Sequence, residues 1–256
     1  MGTVPTFYSV KIIPPFVRLL KQKVGNVPIK KTMPRQARDV AAGYIYHVLN
    51  RGNRKQTVFH KEKDYVVFIE LMKKAKEKFP IKIFAYCLMP NHYHFALMPL
   101  QIDHLSKWIH WLTTVHASRY HFHYQTCGHI WQGRYKNILI QDDYHLSTVL
   151  KYIERNPIRA GFTNSAYDWP WSSYTENLGE KSNCLLDERP DNLQVSWDKF
   201  VDSPIKTTEL ENLRKCIKKR LPYGDEKWKH EISTQLGIRC FEKQRGRPRK
   251  IGTVPN

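Results

Sequence analysis

Two runs of strand-forming residues, 81–89 and 92–98, are separated only by Pro90 and Asn91. A connection this short can join only neighbouring antiparallel strands, because parallel strands need a crossover of a dozen or more residues. The hairpin follows residues 62–78, whose apolar side chains recur at helical spacing with lysines on the other face. This pair of strands constrains the fold more than any other feature of the sequence.

The remaining elements are predicted from the two-residue period of strands and the 3.6-residue period of helices. Strands are predicted at 44–49 and 131–140, a turn at 50–53, and helices at 104–120 and 142–156, the last with Asp142 or Asp143 near its N-cap. The order is strand, helix, strand, strand, helix, strand, helix. This order predicts an α+β fold, a two-layer sandwich with a largely antiparallel sheet.

The composition changes after Tyr174, and we predict a domain boundary near residue 178. The predicted parts are a basic, poorly ordered extension at 1–32, the patterned domain at 33–178, a helical appendage at 179–242, and a basic tail at 243–256. Residues 176–204 are predicted to be loop-like. Two short helices are predicted after them, at 207–221 and 225–236.

The charge of the chain indicates a polyanionic partner. Lys and Arg number 42 against 23 Asp and Glu, which gives a net charge of +19 and a pI of about 9.7. Such a surface binds phosphate backbones through counterion release. An anionic membrane could use the same charge, but no apolar stretch of 18 or more residues exists, so a membrane-spanning segment is not expected. The five cysteines include no CxxC pair, and a reducing, cytoplasmic compartment is expected.

His92 and His94 stand two residues apart within the apolar run 92–98. Alternate side chains of a strand project from the same face, so the two imidazoles lie side by side and Tyr93 points the other way. Two neutral imidazoles at this spacing suit a divalent cation. A pair of hydrogen-bonded core histidines is the alternative, because the motif is short and the chain has 12 histidines.

Tyr152 and Asn156 are four residues apart in the predicted helix 142–156, so they share one helical face. Pro157 is expected to end or kink the helix there. An Asn amide oxygen is a hard, neutral ligand that could complete a His, His, Asn set for Mg²⁺ or Mn²⁺. A tyrosine one turn earlier would lie next to that metal. Packing of the tyrosine in the core is the alternative.

Five segments of the chain resemble, in the same order, the REP-associated tyrosine transposases, a branch of the HUH single-strand DNA transposases. Residues 89–97 resemble the HUH signature of two histidines around a hydrophobic residue, and residues 152–161 resemble the helix that carries a single catalytic tyrosine. The other three similar segments are 46–53, 128–136 and 169–174. The resemblance covers about residues 33–175. One departure is Tyr93, which stands where the signature usually has an aliphatic residue.

This resemblance implies a ferredoxin-like sandwich and a metal-dependent nuclease and strand transferase for single-stranded, hairpin DNA. It implies that His92, His94 and Asn156 bind Mg²⁺ or Mn²⁺ and that Tyr152 is the nucleophile, which forms a 5′-phosphotyrosine. A free phenol has a pKa of about 10, so metal polarisation of the phosphate would be needed. The protein is expected to act at the nucleoid as a monomer or homodimer.

DNA contacts are predicted from basic and aromatic side chains near the implied site. The candidates for phosphate contacts are Arg51, Arg54, Lys55, Arg134 and Lys136. Trp131 and Tyr135 are candidates for stacking on bases. In the tail, Arg245, Arg247, Arg249 and Lys250 surround a Gly-Arg-Pro core that resembles an AT-hook. A plain basic tail remains the alternative.

Two other functions fit parts of the pattern. A non-cleaving DNA-binding regulator could keep the fold and the basic surface, although it has no need of the full His, His, Tyr, Asn set. A zinc hydrolase could use the two histidines, but the further Asp and His ligands usually found in such sites are missing nearby. The sequence favours the transposase, and formation of a covalent DNA adduct would separate the three functions.

Overall fold

The computed structural model describes residues 40–180, 185–190, 196–238 and 240. These residues lie in one compact unit. The predicted N-terminal extension and the AT-hook-like tail lie outside the described residues, so both stay predictions, as does the domain boundary near 178. In the described part of the chain, the helices are too short or too polar to cross a membrane.

Four strands form one antiparallel sheet in the order β2-β3-β1-β4. The strands are β1 (Ile45–Arg51), β2 (Ile81–Met89), β3 (His92–Pro99) and β4 (Lys136–Ile140). With a helix after β1 and another after β3, this is the ferredoxin-like βαββαβ arrangement, and the predicted fold class is confirmed. The predicted strand 131–140 is shorter than expected, because before Lys136 the chain pairs only through an isolated bridge between Trp131 and Gly52.

The helices agree with the predicted periodicity, with two exceptions. They are α1 (Glu62–Lys78), α2 (His104–Tyr124), α3 (Tyr144–Glu154), α4 (Asn156–Arg159), α5 (Tyr174–Asn177), α6 (Trp197–Asp202), α7 (Thr207–Lys219) and α8 (Glu226–Leu236). The predicted helix 142–156 is divided at Arg155 into α3 and α4. The loop-like prediction for 176–204 is wrong at α6, which is too short to show a helical period.

Each face of the sheet has its own hydrophobic cluster. Helices α1 and α2 cover one face, which we call the aromatic face after its buried rings. Rings there include Phe68, Tyr93, Phe95, Trp108 and Trp131. Helices α3, α6 and α7 contribute to the cluster on the other face, which we call the α3 face. The α6 and α7 helices thus add packing on this face beyond the two layers that the strand and helix order predicts.

The segment after α4 covers the exposed edge of β2. The backbone N–H of Leu88 donates to the Trp171 carbonyl at 2.9 Å, and Ser173 N–H donates to the Tyr86 carbonyl at 2.9 Å. The indole N–H of Trp169 donates to the Leu88 carbonyl at 3.0 Å. An uncovered edge strand is a template for pairing with other chains, so residues 169–174 complete the sheet.

Candidate active site

His92 and His94 project from β3 toward the α3 face, while Tyr93 lies in the cluster of the aromatic face. This is the predicted alternation of side chains, and the orientation of Tyr93 is confirmed. The imidazole centroids of His92 and His94 are 5.1 Å apart. His94 is 5% exposed, whereas His92 is half-buried. One imidazole therefore belongs to the core, and the other opens toward the surface.

Tyr152 lies on α3, beside the histidines. Its ring centroid is 5.9 Å from that of His94, in an edge-to-face arrangement. The α3 helix begins with Asp143, whose side chain accepts the His145 N–H, as expected of an N-cap. The apolar side of α3 packs on the sheet through residues such as Leu150 and Ile153. The helix thereby holds the phenol ring against the imidazole.

Asn156 closes the break between α3 and α4. A regular helix would bond the N–H of residue 157 to the carbonyl of Ile153, but Pro157 has no N–H to donate. The side-chain Nδ2 of Asn156 donates instead to Ile153 O at 3.2 Å and to Tyr152 O at 3.0 Å. The amide nitrogen is thus used locally, which leaves Oδ1 as the atom available to other partners.

Arg159 joins Tyr152 and Asn156 in space. Its guanidinium carbon lies 4.2 Å from the centroid of the Tyr152 ring. One of its amino groups also donates to Oδ1 of Asn156. The residue is otherwise exposed, so its positive charge faces solvent beside the phenol. The sequence alone gave Arg159 no role, although its position three residues after Asn156 makes the two neighbours on one helical face.

His47 of β1 is a second residue that the sequence analysis missed. Its Nε2 lies 2.8 Å from Nδ1 of His94, and the two nearly parallel rings have centroids 5.1 Å apart. The His47 ring also contacts Tyr152 edge-on, with centroids 5.9 Å apart. His47 is fully buried. A histidine inside a run of strand-forming residues was the available signal, but its neighbours depend on strand register.

All three imidazoles are held in their neutral form. Burial, together with the charge of Arg159, lowers the pKa of His47 to about 3. Burial and the charges of Arg159 and Arg51 lower the pKa of His92 to about 4. Burial, the two neighbouring histidines and Arg159 lower the pKa of His94 well below its ordinary value. Neutral imidazoles carry the free lone pair that a metal ligand needs.

Two neutral imidazoles and a carboxamide oxygen suit a divalent cation. Nδ1 of His92 lies 2.6 Å from Oδ1 of Asn91 and Nδ1 of His94 is engaged by His47, so Nε2 is the available nitrogen of each ring. Among the described residues, no three His, Cys, Asp or Glu side chains converge as metal ligands. A third protein ligand would therefore have to be another type of side chain, such as the Asn156 carboxamide. The ligand roles stay predictions.

Glu154 is fully buried on the inner side of α3. Its carboxylate accepts hydrogen bonds from Ser173, from Asn177 at 2.6 Å and from the Trp197 indole at 2.7 Å. Burial raises the pKa of Glu154 to about 7 despite these bonds. The bonds tie α3 to the segment that covers β2 and to α6. Glu154 therefore positions the helix that carries Tyr152.

The basic residues near the strands are exposed. Arg51 stands opposite His92 in the pairing of β1 with β3, which places it beside the histidines. Arg54 and Lys55 follow in the turn, with positive φ angles of 52° and 65°. Arg134 and Lys136 are also exposed. All five remain candidates for phosphate contacts.

The two aromatic candidates for base stacking lie on the face of the sheet opposite the histidines. Trp131 and Tyr135 are each only 7% exposed, and both belong to the cluster of the aromatic face. The Trp131 ring packs against Tyr93, with centroids 5.1 Å apart. Neither ring offers a free face to a nucleotide base, so the stacking prediction is corrected. These rings stabilise the core instead.

Sequence comparisons relate the chain to known transposases. Residues 41–156 match the family described as Transposase IS200 like. A REP-associated tyrosine transposase of Haemophilus influenzae is 31% identical over 127 residues, which are 45% of this chain and 72% of the relative. A second, from Escherichia coli K12, is 24% identical over 143 residues, which are 54% of this chain and 81% of the relative.

A solved structure, described as a REP-associated tyrosine transposase bound to a REP hairpin, is 20% identical. The match covers 64% of this chain and 100% of that one, with a TM-score of 0.48. The sequence identity to the Haemophilus protein extends over most of that relative's length. The chain therefore belongs to the REP-associated tyrosine transposases, a family of enzymes.

Proposed function

We propose that the protein is a metal-dependent nuclease and strand transferase for single-stranded DNA that carries REP-like hairpins, with Tyr152 as its nucleophile. The observation that supports this most is the contact of one phenol with both a histidine of the HUH motif, at 5.9 Å between ring centroids, and a guanidinium at 4.2 Å. The names of the relatives point to REP elements as the DNA substrate.

His92, His94 and Asn156 would hold the Mg²⁺ or Mn²⁺ ion. When bound, the ion would polarise the scissile phosphate and offset its developing negative charge. Arg159 would add further positive charge beside the phenol, because its guanidinium lies over the Tyr152 ring and the residue is exposed. Fixed positive charge of this kind stabilises a phosphoryl-transfer transition state more than it stabilises the substrate.

The reaction would proceed in two transesterifications. The phenolic oxygen of Tyr152 attacks the phosphorus, the new bond is a 5′-phosphotyrosine, and the bond from phosphorus to the 3′ oxygen breaks. The phenolic proton passes to water, and the departing 3′ oxygen takes a proton from water. A 3′-hydroxyl of another strand then attacks the phosphotyrosine and releases the phenol. The phosphodiester is exchanged rather than hydrolysed, so no ATP is needed.

The basic residues would guide the strand to the phenol. Arg51 pairs across the sheet with His92 and would contact the phosphate next to the scissile one. Arg54, Lys55, Arg134 and Lys136 would hold more distant phosphates. Binding of this kind depends strongly on salt. The AT-hook-like tail would add contacts to the duplex part of the hairpin.

The test uses the full chain, Mn²⁺ and an oligonucleotide with a hairpin flanked by single-stranded arms. A covalent protein–DNA adduct that survives denaturing electrophoresis is expected. Tyr152→Phe should abolish the adduct, and so should chelation of the metal with EDTA. Tyr120→Phe is the matched control, because Tyr120 lies on α2 at the opposite face and hydrogen-bonds His60.

The other outcomes separate the alternatives. Binding of the hairpin without an adduct, under every metal condition, would support the non-cleaving regulator. Hydrolysis that persists in Tyr152→Phe would support a hydrolase that uses water as its nucleophile. An adduct that survives in Tyr152→Phe but disappears in Tyr120→Phe would place the nucleophile on the wrong helix and end the proposal.

A further inference from the structure

His47 carries two features that packing alone does not explain. The side chain is fully buried, yet its Nδ1 has no hydrogen-bond partner among the described residues. Its other nitrogen, Nε2, lies 2.8 Å from Nδ1 of His94. The bond to His94 is therefore the one hydrogen bond of the His47 side chain among the described residues, and it distinguishes His47 from a histidine that is buried by packing alone.

Strand register explains how the two imidazoles meet. In the pairing of β1 with β3, His47 stands opposite Ala96, and His94 stands opposite Leu49. The two histidines are therefore diagonal neighbours on the same face of the sheet. The small side chain of Ala96 leaves room for the His47 ring beside that of His94, and the two ring planes differ by only 18°.

The hydrogen bond between two neutral imidazoles has a direction, because one nitrogen must carry the proton. If His94 donates from Nδ1, its Nε2 keeps a free lone pair and can bind a cation. If His47 donates from Nε2, the proton of His94 is on Nε2, and that nitrogen cannot bind a cation. The position of one proton in this pair thus decides whether His94 can act as a ligand.

His92 has an equivalent arrangement with a neighbouring amide. Nδ2 of Asn91 donates to the Lys55 carbonyl at 3.1 Å, so the amide oxygen is the atom that faces Nδ1 of His92 at 2.6 Å. An amide oxygen can only accept, and His92 must therefore donate from Nδ1. The two histidines of the motif would then have the same tautomer, each with Nδ1 held by an acceptor.

We propose that His47 is a positioning residue that accepts the Nδ1 proton of His94 and thereby keeps Nε2 of His94 free for the metal. The inference rests on the proposed function, since it assumes that His94 is a ligand. Partners that hold the second nitrogen of a metal-binding histidine fix its tautomer and orientation, and their loss typically weakens metal binding roughly 10- to 100-fold.

Two measurements on the full chain test this inference. Nitrogen-15 NMR of the histidines in the metal-free protein reports the tautomer of His94, with the signal assigned by its loss in His94→Gln. Calorimetry reports the affinity for Mn²⁺. We expect His94 to be protonated on Nδ1 and His47→Leu to weaken Mn²⁺ binding roughly 10- to 100-fold. His47→Gln, whose amide oxygen can still accept the proton, should bind within about fivefold of the unmodified protein.

His116→Leu is the matched control, because His116 is another buried histidine whose Nδ1 has no partner among the described residues. It lies on the aromatic face, and its loss should leave Mn²⁺ affinity unchanged. If His92→Ala abolishes Mn²⁺ binding but His47→Leu does not weaken it, the inference about His47 fails and the proposed function stands. If the unmodified protein binds no Mn²⁺, the proposed function fails. The tautomer of His94 then tests by itself whether His47 accepts the Nδ1 proton. Protonation of His94 on Nε2 would overturn the inference in either case.

Discussion

The two faces of the sheet are built from alternate residues of the same strands, yet they differ in chemistry. On the aromatic face, Tyr93 and Phe95 stack with centroids 4.4 Å apart within a cluster of buried rings. On the α3 face, His92 and His94 lie beside a phenol and a guanidinium. Because successive side chains of a strand point to opposite faces, the single strand β3 supplies residues to both faces. Under the proposed function, the aromatic face supplies stability and the α3 face supplies reactivity.

The largest expected effect is on the aromatic face. Phe68 is fully buried on α1, with its ring 5.0 Å from His116 and 5.9 Å from Tyr93. Phe68→Ala should lower the free energy of unfolding by about 3–5 kcal/mol, because it leaves a cavity. Urea unfolding measures this change. Adduct formation per folded molecule should stay within about twofold of the unmodified protein. A selective loss of activity would contradict the division of stability and reactivity between the two faces.

The second effect is on the α3 face. Arg159→Gln should slow adduct formation roughly 100-fold, by removing positive charge beside the phenol. The guanidinium also donates to Oδ1 of the buried Asn156, so the free energy of unfolding should fall by about 1 kcal/mol, which is too little to account for the slower reaction. Arg155→Gln is the control, since the Arg155 guanidinium donates to the carbonyls of Val201 and Asp202 instead. Equal rates in the two variants would contradict a charge effect specific to Arg159.

The third effect concerns pH and His116. Burial lowers the pKa of His116 to about 4, whereas an unfolded histidine titrates near 6.5. The unfolded state binds more protons between these values, so stability falls as the pH drops below about 6.5 and levels off below about 4. At pH 5 this residue should contribute a loss of about 2 kcal/mol relative to pH 7.

Unfolding of His116→Leu at pH 7 and pH 5 measures that contribution. The variant should lose about 2 kcal/mol less than the unmodified protein over this interval. An identical loss in both proteins would mean that His116 is already protonated in the folded state. At each pH this variant should bind Mn²⁺ as tightly as the unmodified protein does. That result would show that the effect is confined to the aromatic face.

The smallest effect is at Trp169, which packs against the clusters of both faces. Trp169→Phe removes the indole hydrogen bond to Leu88 and should lower the free energy of unfolding by roughly 1 kcal/mol. Trp171→Phe is the control, because the replacement ring can still stack on Tyr65 as Trp171 does. A larger loss in the Trp171 variant would show that ring packing, not the hydrogen bond, holds this segment.

The sequence predicted the parts of the site that depend on local spacing. The two-residue period of β3 placed His92 and His94 on one face, and the helical period placed Asn156 one turn after Tyr152. The contact of His47 with His94 could not be predicted in this way, because it depends on the register between β1 and β3. The burial of Trp131 and Tyr135 was also missed, since the chain turns back over the aromatic face before β4 begins.

The carboxamide of Asn156 has one consequence for anyone who wishes to alter the enzyme. Its nitrogen replaces the backbone donor that Pro157 lacks. Its oxygen accepts a hydrogen bond from Arg159 and, under the proposed function, would also be the group offered to the metal. Exchange for aspartate would keep an oxygen but remove the donor, and exchange for alanine would remove both. Under the proposed function, a substitution of Asn156 would therefore change the affinity for the cation and the position of Tyr152 together.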